Sequence, residues 1–159
     1  MGKTTGHLQL GNVRPMHSFD IDAVLAVERA SFLTPWSRAA FEAEMDDNEL
    51  AHYLVIEADG EVIGYAGMWM ILDEAHVTNI AIAPGFRSKG LGTVLVTALI
   101  DSAIQLGATC MTLEVRASNL DAQRLYRRLG FEPRGLRPGY YSDTGEDALI
   151  MWRDNLTCP

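Results

Sequence analysis

The sequence predicts a single α/β domain, a mixed and mostly antiparallel sheet flanked by helices in the order βααβββαβαββ. Three observations point there. Apolar residues alternate over several short runs and recur every three to four residues over others, so strand and helix periods interleave along the chain. Asp59-Gly60 joins two of the strand-like runs as a tight hairpin turn. No Pro/Ser-rich linker, low-complexity tract or repeat divides the 159 residues, so one domain is expected over 1–159, with residues 1–8 as a mobile tail.

The elements follow in order. His7 to Arg14 reads as a first strand. Phe19, Ile21, Val24, Leu25 and Val27, interleaved with charge, read as a helix capped by Ser18 or Asp20. Thr34-Pro35-Trp36-Ser37 breaks it, and Ser37 caps a second helix reaching about Met45. His52 to Ala58, the Asp59-Gly60 turn and Glu61 to Leu72 form a hairpin, and His76 to Ala83 is the next strand, ended by Pro84-Gly85. Leu91, Val94, Leu95, Ala98, Leu99 and Leu106 make the stripe of a long helix stopped by Gly107. Thr109 to Arg116 alternates, with Met111, Leu113 and Val115 on one face and Thr112, Glu114 and Arg116 on the other. Ser118 to Asp121 resembles a capping box for a short helix with Ala122, Leu125, Tyr126 and Leu129 on one face, ended by Gly130. Phe131 onward and Ala148 to Trp152 close the sheet.

Composition narrows the function. At 48% hydrophobic and 21% charged, the chain has the make-up of a globular protein rather than a disordered one. No apolar run is long enough for a membrane helix, and the N-terminus lacks both the apolar core of a secretory signal and a myristoylation pattern. Cys110 and Cys158 carry no metal spacing, nor do the four histidines; Cys110 reads as a small buried hydrophobe in a reducing cytoplasm, and no metal is expected. Residues 1–85 hold 4 Lys/Arg against 13 Asp/Glu, a net −9, and residues 86–159 hold 9 against 8, a net +1. That asymmetry disfavours nucleic acid and suits a cationic partner such as an amine or basic peptide; solvated surface charge reads equally well.

The sharpest motif is Arg87-Ser88-Lys89-Gly90-Leu91-Gly92-Thr93, between a strand and the longest helix. Glycines there let backbone approach an anion, and the free N–H groups of the helix start point at it. The spacing is neither that of a Walker loop nor that of a Rossmann fingerprint. A glycine-rich turn with solubilising basic residues is the plainer alternative.

With that loop, five stretches in order carry a resemblance: Pro35-Trp36-Ser37, Asn79 to Pro84, Leu113 to Asn119, Leu125 to Phe131, and Tyr140-Tyr141 with Gly145 to Ala148. Over about residues 12 to 152 the chain resembles the GNAT family of acyl-CoA-dependent N-acetyltransferases. It is most similar to the RimI-type branch that acetylates the N-terminal alanine of ribosomal proteins, and to the archaeal and eukaryotic N-terminal acetyltransferase subunits. The Asp143–Glu146 turn is shorter than the comparable RimI-type loop.

The resemblance implies acetyl-CoA as co-substrate and a protein N-terminus, that of a basic ribosomal protein, as acceptor. Ile80, Ala81 and Ile82 would pair with the pantetheine arm like an added strand, and Arg87, Ser88, Lys89, Gly90, Leu91, Gly92 and Thr93 would hold the pyrophosphate. Asn119 would touch the cofactor arm. Glu114 would be the general base and Tyr126 the general acid, with Trp36, Tyr140 and Tyr141 bordering the peptide groove. Read locally, Glu114 is the polar face of a strand, Tyr126 a core residue, Trp36 a packed turn aromatic and Tyr140-Tyr141 a strand end or loop. Arg124, Arg127 and Arg128 read as a solvated helix face, with contact to the cofactor's 3′-phosphate as the alternative.

The chemistry favours an N-terminal acceptor. An α-amino group with a pKa of about 7.7–8.0 is roughly a tenth to a sixth neutral at pH 7, against about 0.04% for a lysine. A carboxylate can then take its proton and a tyrosine can protonate the departing thiolate, with no protein nucleophile. The rivals are a lysine or small-amine acetyltransferase of the same fold and a non-catalytic acyl-CoA-binding module.

Overall fold

A computed structural model describes residues 10–156. The start of the expected first strand at His7, the expected 1–8 tail and Cys158 lie outside the described residues. Within them the chain runs β1 (Leu10–Pro15), α1 (Ile21–Ser31), α2 (Arg38–Asp46), β2 (Ala51–Ala58), β3 (Glu61–Ile71), β4 (Glu74–Ile82), α3 (Leu91–Gln105), β5 (Cys110–Arg116), α4 (Leu120–Arg128), β6 (Glu132–Tyr141) and β7 (Glu146–Arg153). The expected order holds.

The seven strands form one sheet in the order β1-β2-β3-β4-β5-β7-β6, antiparallel throughout except where β4 meets β5. Helices cover both faces. On one, Val24 and Leu25 of α1 and Phe41 of α2 pack on Val55 and Tyr65. On the other, Leu95 and Leu99 of α3 and Tyr126 of α4 pack on Met68, Met111 and Leu113. Each fully buried leucine removes enough apolar surface to contribute about 1.5–3 kcal/mol. Asp59 (φ 50°) and Gly60 (φ 80°) are both left-handed, the geometry of a two-residue turn whose twist matches its strands. Among the described residues no helix is long and apolar enough to cross a membrane.

Several local expectations shift. Phe19 is not on the α1 stripe; it is 75% exposed in a one-turn 3₁₀ segment, Ser18–Asp20. Neither Ser18 nor Asp20 caps α1 through its side chain. The Asp20 carboxylate instead takes the His17 N–H and both ends of the Arg14 guanidinium, a charge-assisted pair stronger than a cap. Ser37 does cap α2, accepting the Ala40 N–H. Val94 of α3 and Leu106, just past its end, are exposed, and Val96, Ile100 and Ala103 are buried in their stead. The α4 cap is Asn119, accepting the Ala122 N–H, rather than a Ser118 box.

One irregularity positions everything that follows. In β4 Gly67 pairs with Asn79 but Met68 with Val77, so Thr78 is an extra residue, a bulge. The β4–β5 ladder covers only Glu74–His76 against Cys110–Thr112, after which β5 continues with β7 alone. From Val77 onward β4 keeps β3 on one edge and has lost β5 from the other. The sheet is splayed there.

Candidate active site

The open edge of β4 presents backbone. Ala83 donates its N–H to the Ile63 carbonyl, toward β3 (2.7 Å). Alternation along a strand therefore turns the N–H and C=O of Ile82 and Ile80 to the splay, and those of Ala81 to β3. The Ile82 carbonyl is taken by Arg87 Nε (2.9 Å), whose Nη2 also donates to Ser31 Oγ (3.0 Å). Arg87 thus braces the strand end against α1, leaving the Ile82 N–H toward the opening.

The glycine loop follows directly. Gly90 is the N-cap of α3 at φ 79°, and Ser88 precedes it at φ 62°. No side chain caps this helix, and its first internal bond runs from Val94 N–H to the Gly90 carbonyl (3.3 Å). The N–H groups of Leu91, Gly92 and Thr93 are left for an anion. A Cβ at Gly90 would meet no atom, so glycine is required there by conformation; a Cβ at Gly92 would lie 3.3 Å from Leu125. Lys89 lies over the Phe86 ring (5.9 Å). An unpaired strand edge running into an uncapped helix start fits an extended chain that carries a diphosphate, so the cradle suits acetyl-CoA. Asn119 is exposed, its carbonyl oxygen spent on the α4 cap. Arg124, Arg127 and Arg128 are exposed.

Across the splay, β5 brings Glu114 two residues past the last β4–β5 pair. Its carboxylate lies 3.7 Å from Arg137 of β6, whose guanidinium stands over the Tyr140 ring (5.6 Å). Tyr140 meets Tyr141 edge-on at 5.2 Å. Tyr126 of α4 is buried against Phe131, and its hydroxyl makes no hydrogen bond among the described residues. Burial, with the neighbouring Tyr141, pushes its pKa well up. Tyr141 is pushed up to about 12, chiefly by burial, with Arg116 pulling the other way and Glu114 adding to the rise. Glu114, Arg137, Tyr140 and Tyr141 therefore form one patch, and Tyr126 neighbours Tyr141 from the face on which Leu113 packs.

Arg116 holds that patch in place. Its guanidinium lies 4.0 Å from the Tyr141 ring centroid and bonds Asp143 (2.7 Å) and Thr144 (3.1 Å). Asp143 is held below the usual carboxylate range by that bond, yet its Oδ1 is buried with no partner among the described residues. Glu146 accepts the Ser118 N–H (2.7 Å) and also lies near Arg116 (3.5 Å).

Trp36 belongs to a different group, beside Phe41 (5.4 Å) on the α1–α2 side. Two buried glutamates stand there. Glu28 accepts from the Trp36 N–H, Tyr65 and Asn79. Glu44 accepts from Tyr53 (2.8 Å), Trp69 (2.8 Å) and Asn48 (2.6 Å), and Tyr53 reaches Thr78 of the bulge (3.2 Å). No expectation from the sequence singled out these two glutamates. Their signal was position: Ile21, Val24, Leu25 and Glu28 keep one helical spacing, as do Phe41 and Glu44. Half-buried Cys110 has its thiol pushed up by burial, away from reactivity. A surface cleft of about 580 Å³ beside Phe19, Ala23 and Ala26 is lined by none of the expected residues.

A model of the acetyltransferase (GNAT) family matches residues 21–131. A Bacillus subtilis (strain 168) protein, provisionally named a [ribosomal protein bS18]-alanine N-acetyltransferase, is 47% identical over 140 residues, 88% of this chain and 93% of the relative. The Escherichia coli (strain K12) protein named [ribosomal protein bS18]-alanine N-acetyltransferase is 34% identical over 144 residues, 89% and 96% of the two chains. The crystal structure of the Escherichia coli ribosomal-protein-S18-alanine N-acetyltransferase superposes with a TM-score of 0.83 at 33% identity, covering 91% of this chain and 93% of that one. With the splayed strand, the uncapped glycine-led helix and these relatives in agreement, the chain belongs to the GNAT family and is an acetyl-CoA-dependent N-acetyltransferase.

Proposed function

We propose that this enzyme moves the acetyl group of acetyl-CoA to the α-amino group of a protein N-terminus, an alanine of a ribosomal protein, by direct attack in a ternary complex. The observation that carries the reading is the open edge of β4, with Glu114 of β5 two residues past the last β4–β5 pair. The bS18-alanine activity in the names of the relatives supports the acceptor. The net −9 of residues 1–85 suits a basic tail.

In this mechanism the pantetheine arm lies along Ile80–Ile82, with the Ile82 N–H at the thioester oxygen, where negative charge develops. The pyrophosphate sits on the Ser88–Thr93 amides, with Arg87 and Lys89 shaping the loop and Asn119 at the arm. The amine nitrogen attacks the thioester carbon while Glu114 takes one of its protons, directly or through a water. The C–S bond breaks, and Tyr126, kept protonated by its burial, gives its proton to the coenzyme A sulfur. Trp36, Tyr140 and Tyr141 border the peptide. The domain takes up the whole chain, 1–159, and acts in the cytoplasm without metal, nucleic acid or membrane.

The test is incubation with acetyl-CoA and two peptides, read by mass spectrometry. One peptide has a free N-terminal alanine and no lysine; the other has a blocked N-terminus and an internal lysine. Acetylation of the first alone is expected. Acetylation of the second alone would move the enzyme to lysine chemistry, and turnover of neither would leave an acyl-CoA-binding module.

A further inference from the structure

Glu28, in the interior of α1, is 1% exposed, and no Lys, Arg or His pairs with it among the described residues. Burying a carboxylate is costly unless its oxygens are satisfied, whereas an apolar side chain on the same stripe, like Val24 or Leu25, packs without that penalty. What Glu28 has in return is three donors from three separate places. The Trp36 N–H (3.0 Å) comes from the α1–α2 loop, the Tyr65 hydroxyl from β3, and the Asn79 amide (3.4 Å) from β4, one residue past the bulge. Asn79 also donates to the Tyr65 hydroxyl (3.2 Å), which closes the network. The loop between the helices is thus fastened to the strand whose open edge faces the splay. A second tie, Arg87 between Ser31 and the Ile82 carbonyl, joins the end of α1 to the same strand. Glu114 faces the same side of the sheet as this network, because Leu113 and Val115 face the other.

We propose that Glu28 is a positioning residue that sets the Trp36 loop, and through it the acceptor peptide, against the β4 strand that carries the acetyl group. The proposal rests on the reading above of Trp36 as a wall of the acceptor groove and of β4 as the cofactor strand. Glu28 touches neither substrate. It acts by fixing the distance between two binding surfaces that belong to different elements. A glutamine in its place keeps the size and an oxygen for the Trp36 N–H, but turns a donor toward the Tyr65 hydroxyl. An alanine removes the tie.

The experiment compares wild type, Glu28→Gln and Glu28→Ala. It measures peptide KM and kcat, acetyl-CoA affinity by calorimetry, melting temperature, and hydrogen exchange of the Trp36 amide. In Glu28→Ala the peptide KM is expected to rise about tenfold or more, since a hydrogen bond to a charged group is lost. Acetyl-CoA affinity should stay within twofold, and the Trp36 amide should exchange faster. Glu28→Gln should fall between the two, the conservative variant restoring part of the loss. Faster Trp36 exchange with peptide KM within twofold of wild type overturns the proposal. So does a parallel loss of peptide KM, acetyl-CoA affinity and melting temperature in Glu28→Gln, which a merely structural role would produce. A wild type that acetylates the lysine peptide and not the N-terminal one defeats the function proposed above, and the same comparison run with the lysine acceptor then decides the role of Glu28. A wild type inactive on both overturns the two together.

Discussion

On the β4 side of the splay the exposed groups are backbone: the edge of Ile80–Ile82 and the N–H groups of Leu91 to Thr93, in a left-handed loop through Ser88 and Gly90. On the opposite side they are side chains from distant elements. Tyr141 of β6 lies on Arg116 of β5 and neighbours Tyr126 of α4, and Arg137 of β6 reaches Glu114 of β5. The first surface recognises through groups every residue carries, so it tolerates substitution except where conformation demands glycine. The second loses its geometry when a single partner is truncated. A cofactor that never changes suits the first, and a peptide that must be told from other peptides suits the second.

The largest loss is expected from Tyr126→Phe. If the hydroxyl protonates the leaving sulfur, kcat should fall about 10²-fold or more with peptide KM nearly unchanged. An unaltered kcat removes Tyr126 from the chemistry. Next in size, Gly90→Val places a β-branched residue at φ 79°, a strain of about 1–2 kcal/mol that should weaken acetyl-CoA binding roughly tenfold by calorimetry. Wild-type affinity would show that the loop does not need its left-handed turn.

A smaller effect is expected from Asp143→Asn on the side-chain surface, where the peptide KM should rise about threefold as Tyr141 loosens. Arg116 holds the Asp143 carboxyl below its ordinary range, and Ser118, through its hydroxyl and then its N–H, does the same for Glu146 with Arg116 adding to it. A lowered folded pKa stabilises above the unfolded value, so this tie is complete above about pH 4.5 and is lost as pH falls further, through the folded values. The drop in melting temperature from pH 6 to pH 3 should therefore be shallower in Asp143→Asn; an identical acid slope would exclude that carboxyl from the tie. The smallest effect belongs to neither surface. Leu72, 94% exposed at the tip of the β3–β4 turn, sits at φ 56°. Leu72→Gly should relieve that strain and raise the melting temperature slightly, by about 0.5–1 kcal/mol of stability, with kinetics unchanged. A lower melting temperature would mean the leucine is not strained there.

Much of the fold was legible because its signals are local. The Asp59-Gly60 turn, the Ser37 cap, the stops at Gly107 and Gly130 and the alternation of Met111, Leu113 and Val115 each rest on a few neighbouring residues, and each is present. The misplaced details are those decided from a distance. Asp20 does not cap α1 because Arg14 of another element takes its carboxylate. Val94 is exposed because the direction from which the sheet meets α3 is not written in the helix. The glycine loop was equally local, and the residues at its tip lie where the spacing put them.

The order of elements, the loop at Gly90 and the candidates Glu114 and Tyr126 were readable from the chain, since periodicity, glycine placement and family resemblance all act along it. Which edge of β4 is open, which carboxylates are buried, and what holds Tyr141 and Trp36 were settled by packing. Those facts depend on hydrogen bonds between residues as far apart as Glu28 and Asn79 or Arg116 and Asp143. A charged residue on an apolar stripe shows that something must satisfy it; only the packed chain brings the donors to it.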